Sequence, residues 1–503
     1  MQRNNKSYLP AQNSSTKLTV TIAKRKTVLI IFACIIIAIA LHLGFLLNGF
    51  YGISADESGR TIDAYTWLKT GSPQSDVWLP FHRIIVSAGL LLWNNLFVVP
   101  RIISFVFGLI ALFAMIWLAH ELFHDTNVTI ATAFLSALFP PRIILSVVPL
   151  TEIEFIAFIF IGIIFYIRWL RAKNSWQIII TAACIGVSTT IRYEGWIFAV
   201  VFPVILVMKR EYRTSVFVRS VAGYAILLIV GIFPLYWTAT SFQETHRLLG
   251  FASSHADRYQ RAFHINTLKI IWHNPVTQFI YQNGLSLNLI GIIPLIHFFR
   301  WDKQKRDYLL FPAAALLVFA LVLLTGAGFT THNPWRISVF WGCLLVPFTA
   351  YWIVQHLVRH ENANIFKRYA VIVFVAIAFV AQLLWLSRSP EFNSSDYFLG
   401  KFLEKKLQYN MQQNILIETP NWDYINVLVT ANEPSRFVLN TGFDPYMPAE
   451  AILNTHAAVN VKQLTQKGIR YLVFQSPLIF SDEQLRSVKQ QYHNSRWTVY
   501  ELP

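Results

Sequence analysis

Residues 98–118 read VVPRIISFVFGLIALFAMIWL, an apolar run whose single charged residue is Arg101. A helix of about 20 apolar residues is long enough to cross the ~30 Å hydrocarbon core of a bilayer. Similar runs recur along the first 390 residues, and the chain is 55% hydrophobic and only 14% charged. This composition excludes an ordinary soluble protein. The sequence therefore predicts a polytopic α-helical membrane protein with about 11 transmembrane helices.

The eleven predicted spans are residues 28–49, 98–120, 128–147, 153–170, 176–191, 196–208, 220–238, 280–299, 308–326, 337–357 and 369–387. We expect these spans to be unbroken, with nearly charge-free interiors. If the N-terminus is cytoplasmic, every strongly basic cluster next to a span lies on the cytoplasmic side. The net charge of +16 then reflects topology and contact with anionic membrane lipid, so no nucleic-acid partner is expected.

The predicted domains are a cytoplasmic segment at 1–27, a transmembrane domain at 28–388 and a small extracytoplasmic α/β domain at 389–503. The first external loop, residues 50–97, is expected to contain helices lying in the membrane interface. The second external loop, residues 240–275, is a candidate lid. In the last domain, strand-like runs at 415–417, 437–439, 471–474 and 497–500 alternate with helix-like stretches at 397–407, 461–467 and 482–492. This alternation predicts a partly parallel sheet.

Asp56 and Glu57 follow the first predicted span by a few residues and open a polar stretch. At the outer membrane surface, a carboxylate could act as a general base for an acceptor that meets a lipid-linked donor. The alternative is an ordinary solvated acidic pair in an external loop.

Glu152 and Glu154 lie at the predicted start of the fourth span, on the same side of the membrane as Asp56. Thr151 and Glu154 have the spacing of a helix-capping box, which predicts a structural role for Glu154. Glu152 is then the candidate for a second active-site acid.

Arg192 and Glu194 lie between the fifth and sixth predicted spans, and Arg336 begins the tenth. Charged residues at the edge of an apolar bundle are costly unless they are paired or functional. A guanidinium group suits a phosphate because it carries a permanent charge and a fork of donors. Arg192 and Arg336 are therefore candidates to bind a phosphate. The alternatives are a local pair between Arg192 and Glu194, and an Arg336 side chain that reaches from a helix start to the interface.

His82 is a weaker candidate, because a lone histidine at an interface more often bonds a backbone carbonyl than a ligand. The external loops contain no pair of histidines at metal-ligand spacing, and Cys34, Cys184 and Cys343 all lie within apolar runs. No cofactor or metal site is predicted, although assistance by a divalent metal remains open.

Several of these features together resemble the GT-C superfamily of integral membrane glycosyltransferases. They are the acidic pair after the first span, the long first loop, Pro100-Arg101 at the start of the second span, the acid opening the fourth span and the arginine opening a late span. Within that superfamily the chain is most similar to the family 39-like group, which includes protein O-mannosyltransferases and the lipid A aminoarabinose transferase. The resemblance covers about residues 28–360.

The resemblance implies a sugar donor carried on a polyprenyl phosphate, with Asp56 as catalytic base and with Glu57 and Glu152 positioning the acceptor. Arg192, Glu194, Arg336, His82 and Arg101 are the candidate substrate-binding residues. We expect an inverting transfer to a glycan, lipid or protein acceptor at the outer face of the membrane. The absence of a luminal retention signal and of cysteine pairs favours a bacterial inner membrane. The rival hypotheses are a transporter or flippase of lipid-linked sugars and a non-catalytic assembly subunit.

Overall fold

The computed structural model describes most of the chain, and helices dominate it. The described residues are 14–52, 54–71, 78–208, 221–247, 274–324, 334–358, 365–386, 394–409, 414–443, 445, 449–455, 458–485 and 487–503. Most of the predicted lid, from residue 248 to residue 273, lies outside them.

Fifteen helices precede the C-terminal domain in the described part of the chain. They are α1 (Ser14–Leu47), α2 (Asp56–Thr70), α3 (Pro80–Leu92), α4 (Val98–Phe123), α5 (Thr126–Leu138), α6 (Pro140–Val147), α7 (Thr151–Ala172), α8 (Ser175–Thr189), α9 (Glu194–Met208), α10 (Val221–Thr245), α11 (Pro275–Leu285), α12 (Ile292–Trp301), α13 (Lys303–Leu324), α14 (Pro334–Ile353) and α15 (Ile365–Leu386). A 3₁₀ turn at Asn288–Gly291 precedes α12, and a π-helical turn at Val354–Val358 follows α14.

Each predicted span coincides with one of these helices or with a bent pair of them, but the number of eleven spans is not confirmed. Within the described residues, five helices are long and apolar enough to cross a membrane: α1, α4, α7, α10 and α14. The number rises to seven if each of two bent pairs counts as one span. The helices α3, α8 and α9 are apolar but shorter.

The first bent pair is α5 and α6, whose axes differ by 53°. The break comes at Pro140 and Pro141, because proline lacks the amide hydrogen that a continuous helix needs. Arg142 is fully buried there and donates to the carbonyls of Ser136 (2.7 Å), Ala137 (3.2 Å) and Gly108 (3.3 Å). The expectation of unbroken spans with nearly charge-free interiors is therefore wrong at this position.

The second bent pair joins α11 to the segment Asn288–Trp301 at 102°. Buried amides bind one another and the backbone at this break. The Asn288 side chain donates to Asn283 Oδ1 and to the Gly342 carbonyl, both at 2.8 Å, and Thr349 donates to the Asn288 carbonyl at 2.9 Å. Backbone groups freed inside a membrane domain need such polar partners.

The C-terminal domain contains a five-stranded sheet with helices on it. Its elements are α16 (Ser394–Tyr409), β1 (Asn414–Ile417), α17 (Tyr424–Ala431), β2 (Phe437–Leu439), α18 (Val461–Gln466), β3 (Ile469–Phe474), α19 (Asp482–Leu485), β4 (Lys489–His493) and β5 (Thr498–Glu501). The strand order is β2-β1-β3-β5-β4. The pairings of β1 with β2 and with β3 are parallel, and those of β5 are antiparallel.

This domain confirms the predicted small, partly parallel sheet, with two corrections. The helix predicted at 482–492 is wrong, because α19 ends at Leu485 and β4 occupies Lys489–His493. Strand β4 pairs with β5 along its length, with a bulge between Gln490 and Tyr492. Helix α17 was not predicted, since its sequence YINVLVTA is rich in the β-branched residues that favour strands.

The C-terminal domain contacts residues 50–97, the segment predicted to be the first external loop. Ser58 of α2 donates to Asn426 of α17 at 2.7 Å. The Leu96 amide donates to Asn432 Oδ1 at 2.7 Å. The sheet domain therefore lies at the same end of the helical bundle as the start of α2.

Candidate active site

The starts of α2, α7 and α14 and the turn between α8 and α9 meet at one end of the bundle. Each contributes a charged side chain to a single network: Asp56, Glu152, Arg336, and Arg192 with Glu194. Helix N-termini carry partial positive charge and favour nearby carboxylates, which suits Asp56 and Glu152 at the starts of α2 and α7.

Arg336 joins two of these helices. Its Nη1 donates to Asp56 Oδ2 at 2.9 Å, and its Nε donates to Glu152 Oε1 at 2.8 Å. The side chains of Arg336 and Glu152 are 6% and 4% exposed, whereas that of Asp56 is 34% exposed. Asp56 is therefore the member of this triad that solvent or a second substrate can reach.

Arg192 binds the same oxygen of Glu152. Its Nη1 lies 2.7 Å from Glu152 Oε1, and its Nη2 lies 2.7 Å from Glu194 Oε1. Burial opposes the charged form of Arg192, but Glu152 and Glu194 outweigh it and raise the pKa of Arg192. The local pair between Arg192 and Glu194 is thus present, and it is part of a larger network.

The turn that carries Arg192 is tight. A Cβ atom on Gly195 would lie 2.5 Å from the Ser188 carbonyl oxygen. The Ser188 carbonyl also accepts from the Arg192 amide at 3.1 Å. Only glycine allows the end of α8 and the start of α9 to approach this closely.

Arg60 is a third cation here, and the sequence interpretation missed it. Burial lowers the pKa of Arg60, while the charges of Asp56 and Glu152 act in the opposite direction. Its guanidinium lies 5.1 Å from the centre of the Trp78 ring, and its Nε has no hydrogen-bond partner among the described residues. The available signal was the i, i+4 spacing from Asp56, which places both side chains on one face of α2.

A small cavity of about 10 Å³, room for roughly one water molecule, adjoins the network. Its polar lining is Glu152, Arg192, Glu194 and Arg336, and its apolar lining is Phe155, Ile156, Phe198, Phe319, Ile337 and Phe340. Oε2 of Glu152 is buried and has no hydrogen-bond partner in the described structure. The cavity is therefore lined by charged side chains and by aromatic and aliphatic ones, and one of its lining residues, Glu152, has a carboxylate oxygen without a hydrogen-bond partner among the described residues.

The charges of three carboxylates and three guanidinium groups cancel in this cluster, which consists of Asp56, Glu152, Glu194, Arg60, Arg192 and Arg336. Each carboxylate of the network has a guanidinium partner within 3 Å: Asp56 and Glu152 on Arg336, and Glu194 on Arg192. An anion that entered the cavity would compete with these carboxylates for the guanidinium groups. The arrangement can thus exchange an internal ion pair for a ligand.

Glu57 lies beside Asp56, and its carboxylate binds the turn that precedes α2. Its carboxylate accepts from the Ser54 amide at 3.1 Å and from the Ser54 hydroxyl at 2.7 Å, and the residue is 2% exposed. These bonds close the turn that precedes α2. Glu57 therefore fixes the position from which Asp56 projects.

Glu154 is not part of a capping box. Helix α7 begins at Thr151 itself, and the preceding Leu150 is extended with no side-chain cap. Instead, Glu154 Oε1 lies within hydrogen-bond distance of His82 Nδ1, at 2.7 Å, and both side chains are buried. The interpretation of Glu154 as a cap is wrong because its partner comes from α3, 72 positions earlier in the sequence.

Arg101 also lies outside the network. It donates to the carbonyls of Phe97 (2.7 Å) and Tyr51, and its guanidinium lies 3.6 Å from the centre of the Phe97 ring. Tyr51 in turn stacks on Tyr397 of the C-terminal domain at 3.9 Å. Arg101 therefore ties α4 to the segment before α2.

Among the residues described, no group of three or more His, Cys, Asp or Glu side chains could hold a metal ion.

Comparison with family models and with curated protein sequences gives no match. Solved structures do match. ArnT from Cupriavidus metallidurans bound to undecaprenyl phosphate matches with a TM-score of 0.58 at 12% identity, over 95% of this chain and 98% of that one. The apo oligosaccharyltransferase of Archaeoglobus fulgidus matches with a TM-score of 0.50 at 13% identity, over 89% of this chain and 69% of that one. The same oligosaccharyltransferase tethered to an acceptor peptide gives 0.52 at 13% identity, over 90% and 69%. The chain therefore shares the fold of ArnT and of this oligosaccharyltransferase, which confirms the predicted resemblance at the level of the fold.

Proposed function

We propose that this protein is a membrane glycosyltransferase that moves a sugar from a polyprenyl-phosphate donor to an acceptor at the outer face of the membrane. The observation that carries the proposal is the cavity at the end of the bundle, where the network of Asp56, Glu152, Arg192, Glu194 and Arg336 adjoins an aromatic lining. The shared fold with ArnT, whose structure contains undecaprenyl phosphate, supports the same class of donor.

The two parts of the cavity match the two parts of such a donor. Arg192 and Arg336 offer guanidinium forks suited to a phosphate, and Arg60 adds a third positive charge close to Asp56. The phenylalanines that line the same cavity would contact the apolar lipid next to the phosphate. This match favours a lipid-linked phosphate over a water-soluble sugar nucleotide.

Asp56 is the proposed general base. It accepts the proton of the acceptor hydroxyl or amine as that atom attacks the anomeric carbon. The bond from the anomeric carbon to the phosphate oxygen breaks, and the electron pair leaves with polyprenyl phosphate, so the configuration inverts. Arg192 and Arg336 neutralise the charge that grows on the leaving phosphate. Because a phosphate is already a good leaving group, no general acid is needed.

Donor binding also activates the base in this scheme. While Arg336 Nη1 donates to Asp56 Oδ2 at 2.9 Å, that oxygen is occupied. A donor phosphate that attracts Arg336 weakens this pair and makes Oδ2 accessible to the acceptor. Without a donor the base stays paired.

The acceptor is a glycan, a lipid or a protein, and we place the chain in a bacterial inner membrane with the C-terminal domain extracytoplasmic. Glu57, His82 and Arg101 contribute to substrate binding indirectly, through the backbone and side-chain contacts described above. No resident cofactor takes part in the proposed steps. The rate of sugar transfer, measured with and without added divalent metal, tests whether a metal ion assists.

The rival function is transport of a lipid-linked sugar, and two observations favour it. The structure contains the buried Arg142 and two broken helices, and both features are common in transporters. However, Arg142 donates to the carbonyls exposed by the break in α5 and α6. The network that adjoins the cavity lies at helix ends, so we favour the transferase.

The test is reconstitution of the purified protein in vesicles with synthetic polyprenyl-phosphate sugars and a mixture of acceptors. We expect release of free polyprenyl phosphate together with a glycosylated product. Movement of the intact donor between leaflets without its cleavage would establish the transporter instead. Glycan profiling of a deletion strain then identifies the acceptor, as the decoration that is missing.

A further inference from the structure

His82 and Glu154 form a buried hydrogen-bonded pair that the proposed chemistry does not use. His82 Nδ1 lies 2.7 Å from Glu154 Oε1, and the two side chains are 2% and 0% exposed. The pair joins α3 of the first external loop to the first turn of α7. Neither residue lines the cavity.

Helix α3 has further contacts with the elements that carry the active-site charges. Arg83 lies 3.5 Å from Asp63 of α2, and Ser87 donates to the Ala64 carbonyl of α2 at 3.2 Å. The Phe81 amide donates to the Thr190 carbonyl, at the turn that carries Arg192, at 3.1 Å. Helix α3 thus connects α2, α7 and the turn between α8 and α9.

The geometry of α7 makes this connection consequential. Glu152 and Glu154 are two residues apart, so their side chains point about 200° apart around the helix axis. Glu152 binds Arg192 and Arg336 on one side, and Glu154 binds His82 on the other. The first turn of α7 is therefore held by polar contacts from both sides, and loss of either contact removes one of the two constraints on its orientation.

We propose that His82 and Glu154 are a positioning pair, which holds Glu152 where it orients Arg192 and Arg336 for the donor phosphate. This inference rests on the proposed function. It assigns His82 a contact with the protein instead of a contact with the substrate. Through Glu152 and Arg336 the pair also sets the distance between the donor and Asp56.

Exchange of the two partners tests the pair directly. The variants H82E and E154H each break it, and the double variant H82E/E154H rebuilds it with the partners reversed. We expect each single variant to lose turnover by about 10²-fold, the cost of displacing reacting groups by about 1 Å. We expect the double variant to recover most of that loss. A folded double variant as inactive as the single variants would overturn the proposal, as would single variants with wild-type turnover.

A milder change keeps the test valid if the exchanged variants do not fold. Glu154→Gln retains an oxygen that accepts from His82, so turnover should stay within about threefold of the wild type, a difference of less than 1 kcal/mol. A loss of about 10²-fold or more in folded E154Q would mean that the charge at residue 154 acts in the chemistry. K401Q, which breaks the ion pair between Lys401 and Glu404 on α16, is the matched control and should leave turnover unchanged.

Binding of a short-chain polyprenyl phosphate separates this inference from the proposed function. The measurement needs no sugar transfer, and we expect weaker binding in H82E and in E154H, with recovery in the double variant. A wild-type protein that transfers no sugar would refute the proposed function. Single variants that bind the lipid phosphate as tightly as the wild type would refute the positioning pair.

Discussion

Two glutamates at opposite ends of the helical bundle each bind two arginines, and one of them, Glu152, adjoins the cavity. Glu121, near the end of α4, has both oxygens occupied: Oε2 lies 2.7 Å from Arg171, and Oε1 lies 3.6 Å from Arg168 and 3.0 Å from Trp117 Nε1. Glu152, at the start of α7, binds both arginines through Oε1 alone.

The remaining contacts show what this difference means. Arg171 also donates to the Tyr308 hydroxyl at 3.0 Å, so the Glu121 cluster satisfies its own members and ties α4, α7 and α13 together. The Glu152 cluster leaves Oε2 without a partner in the described part of the chain and lies against the cavity. A cluster whose hydrogen-bonding atoms are all occupied joins helices. A cluster beside a cavity with an unoccupied hydrogen-bonding atom can bind a ligand.

The largest contrast should come from removal of the base. Asp56→Asn keeps size and hydrogen bonding but removes basicity, so turnover should fall by roughly 10²- to 10⁴-fold, the range of general-base catalysis. Glu121→Gln is the matched change in the other cluster and should leave turnover close to the wild-type value. Initial rates of sugar transfer per folded molecule measure both. Full activity in D56N would remove Asp56 from the mechanism.

The two glutamates should also differ in what their loss costs the fold. Glu152→Gln leaves two buried guanidinium groups short of a counter-charge, so the free energy of unfolding should fall by about 3 kcal/mol. For Glu121→Gln we expect about 1 kcal/mol, because Arg171 and Arg168 are 23% and 40% exposed and solvent screens them. Denaturant unfolding in detergent compares the two variants. Equal losses would show that burial does not distinguish the clusters.

The arginines test the phosphate site. Arg192→Lys and Arg336→Lys each keep a positive charge but lose the guanidinium fork, so affinity for a polyprenyl phosphate should weaken by roughly ten- to a hundredfold, or about 1.5 to 3 kcal/mol. Arg171→Lys is the control and should bind the lipid phosphate as the wild type does. If Arg192 serves only to pair with Glu194, then E194Q and R192K will reduce thermal stability alike and leave affinity unchanged.

Some of this site could be predicted from the sequence, because its signals are local. Long apolar runs located the helices, and charged residues at their ends marked Asp56, Glu152, Arg192 and Arg336. No local signal indicated that Arg336 joins Asp56, 280 positions away in the sequence. Such contacts depend on how the helices pack.

The errors have equally specific causes. Thr151 and Glu154 have the spacing of a capping box, but the buried His82 is the stronger partner for a carboxylate inside a membrane domain. The break at Pro140 and Pro141 was visible in the sequence, yet the run around it was apolar enough to pass for one straight span. Helix α17 contains strand-favouring residues and is helical where it packs on α2, so tertiary contacts outweigh its local preference.

The smallest expected effect comes from Asp396 of α16, another buried carboxylate, which lies in the C-terminal domain. It accepts from Trp497 Nε1 at 2.7 Å, and Arg496 lies 3.5 Å away. Burial raises the pKa of Asp396 above its ordinary value of 3.8, although these contacts act against the rise. The folded protein then binds this proton more tightly than the unfolded chain does, so its contribution to stability is complete below pH 3.8 and is lost as the pH rises through the raised pKa.

We therefore expect the thermal midpoint of the wild type to fall more steeply with rising pH above 3.8 than that of Asp396→Asn, which has no proton to release. Asp302 is the control with the opposite sign. Burial works to raise its pKa, but hydrogen bonds from Lys305 outweigh it and lower the pKa, so Asp302 adds stability above pH 3.8 and loses it as the pH falls through the lowered value. Thermal unfolding of the wild type, D396N and D302N across this range is the measurement. Parallel curves for the wild type and D396N would show that Asp396 has the same pKa in the folded and the unfolded protein, so that burial in the C-terminal domain does not shift its titration.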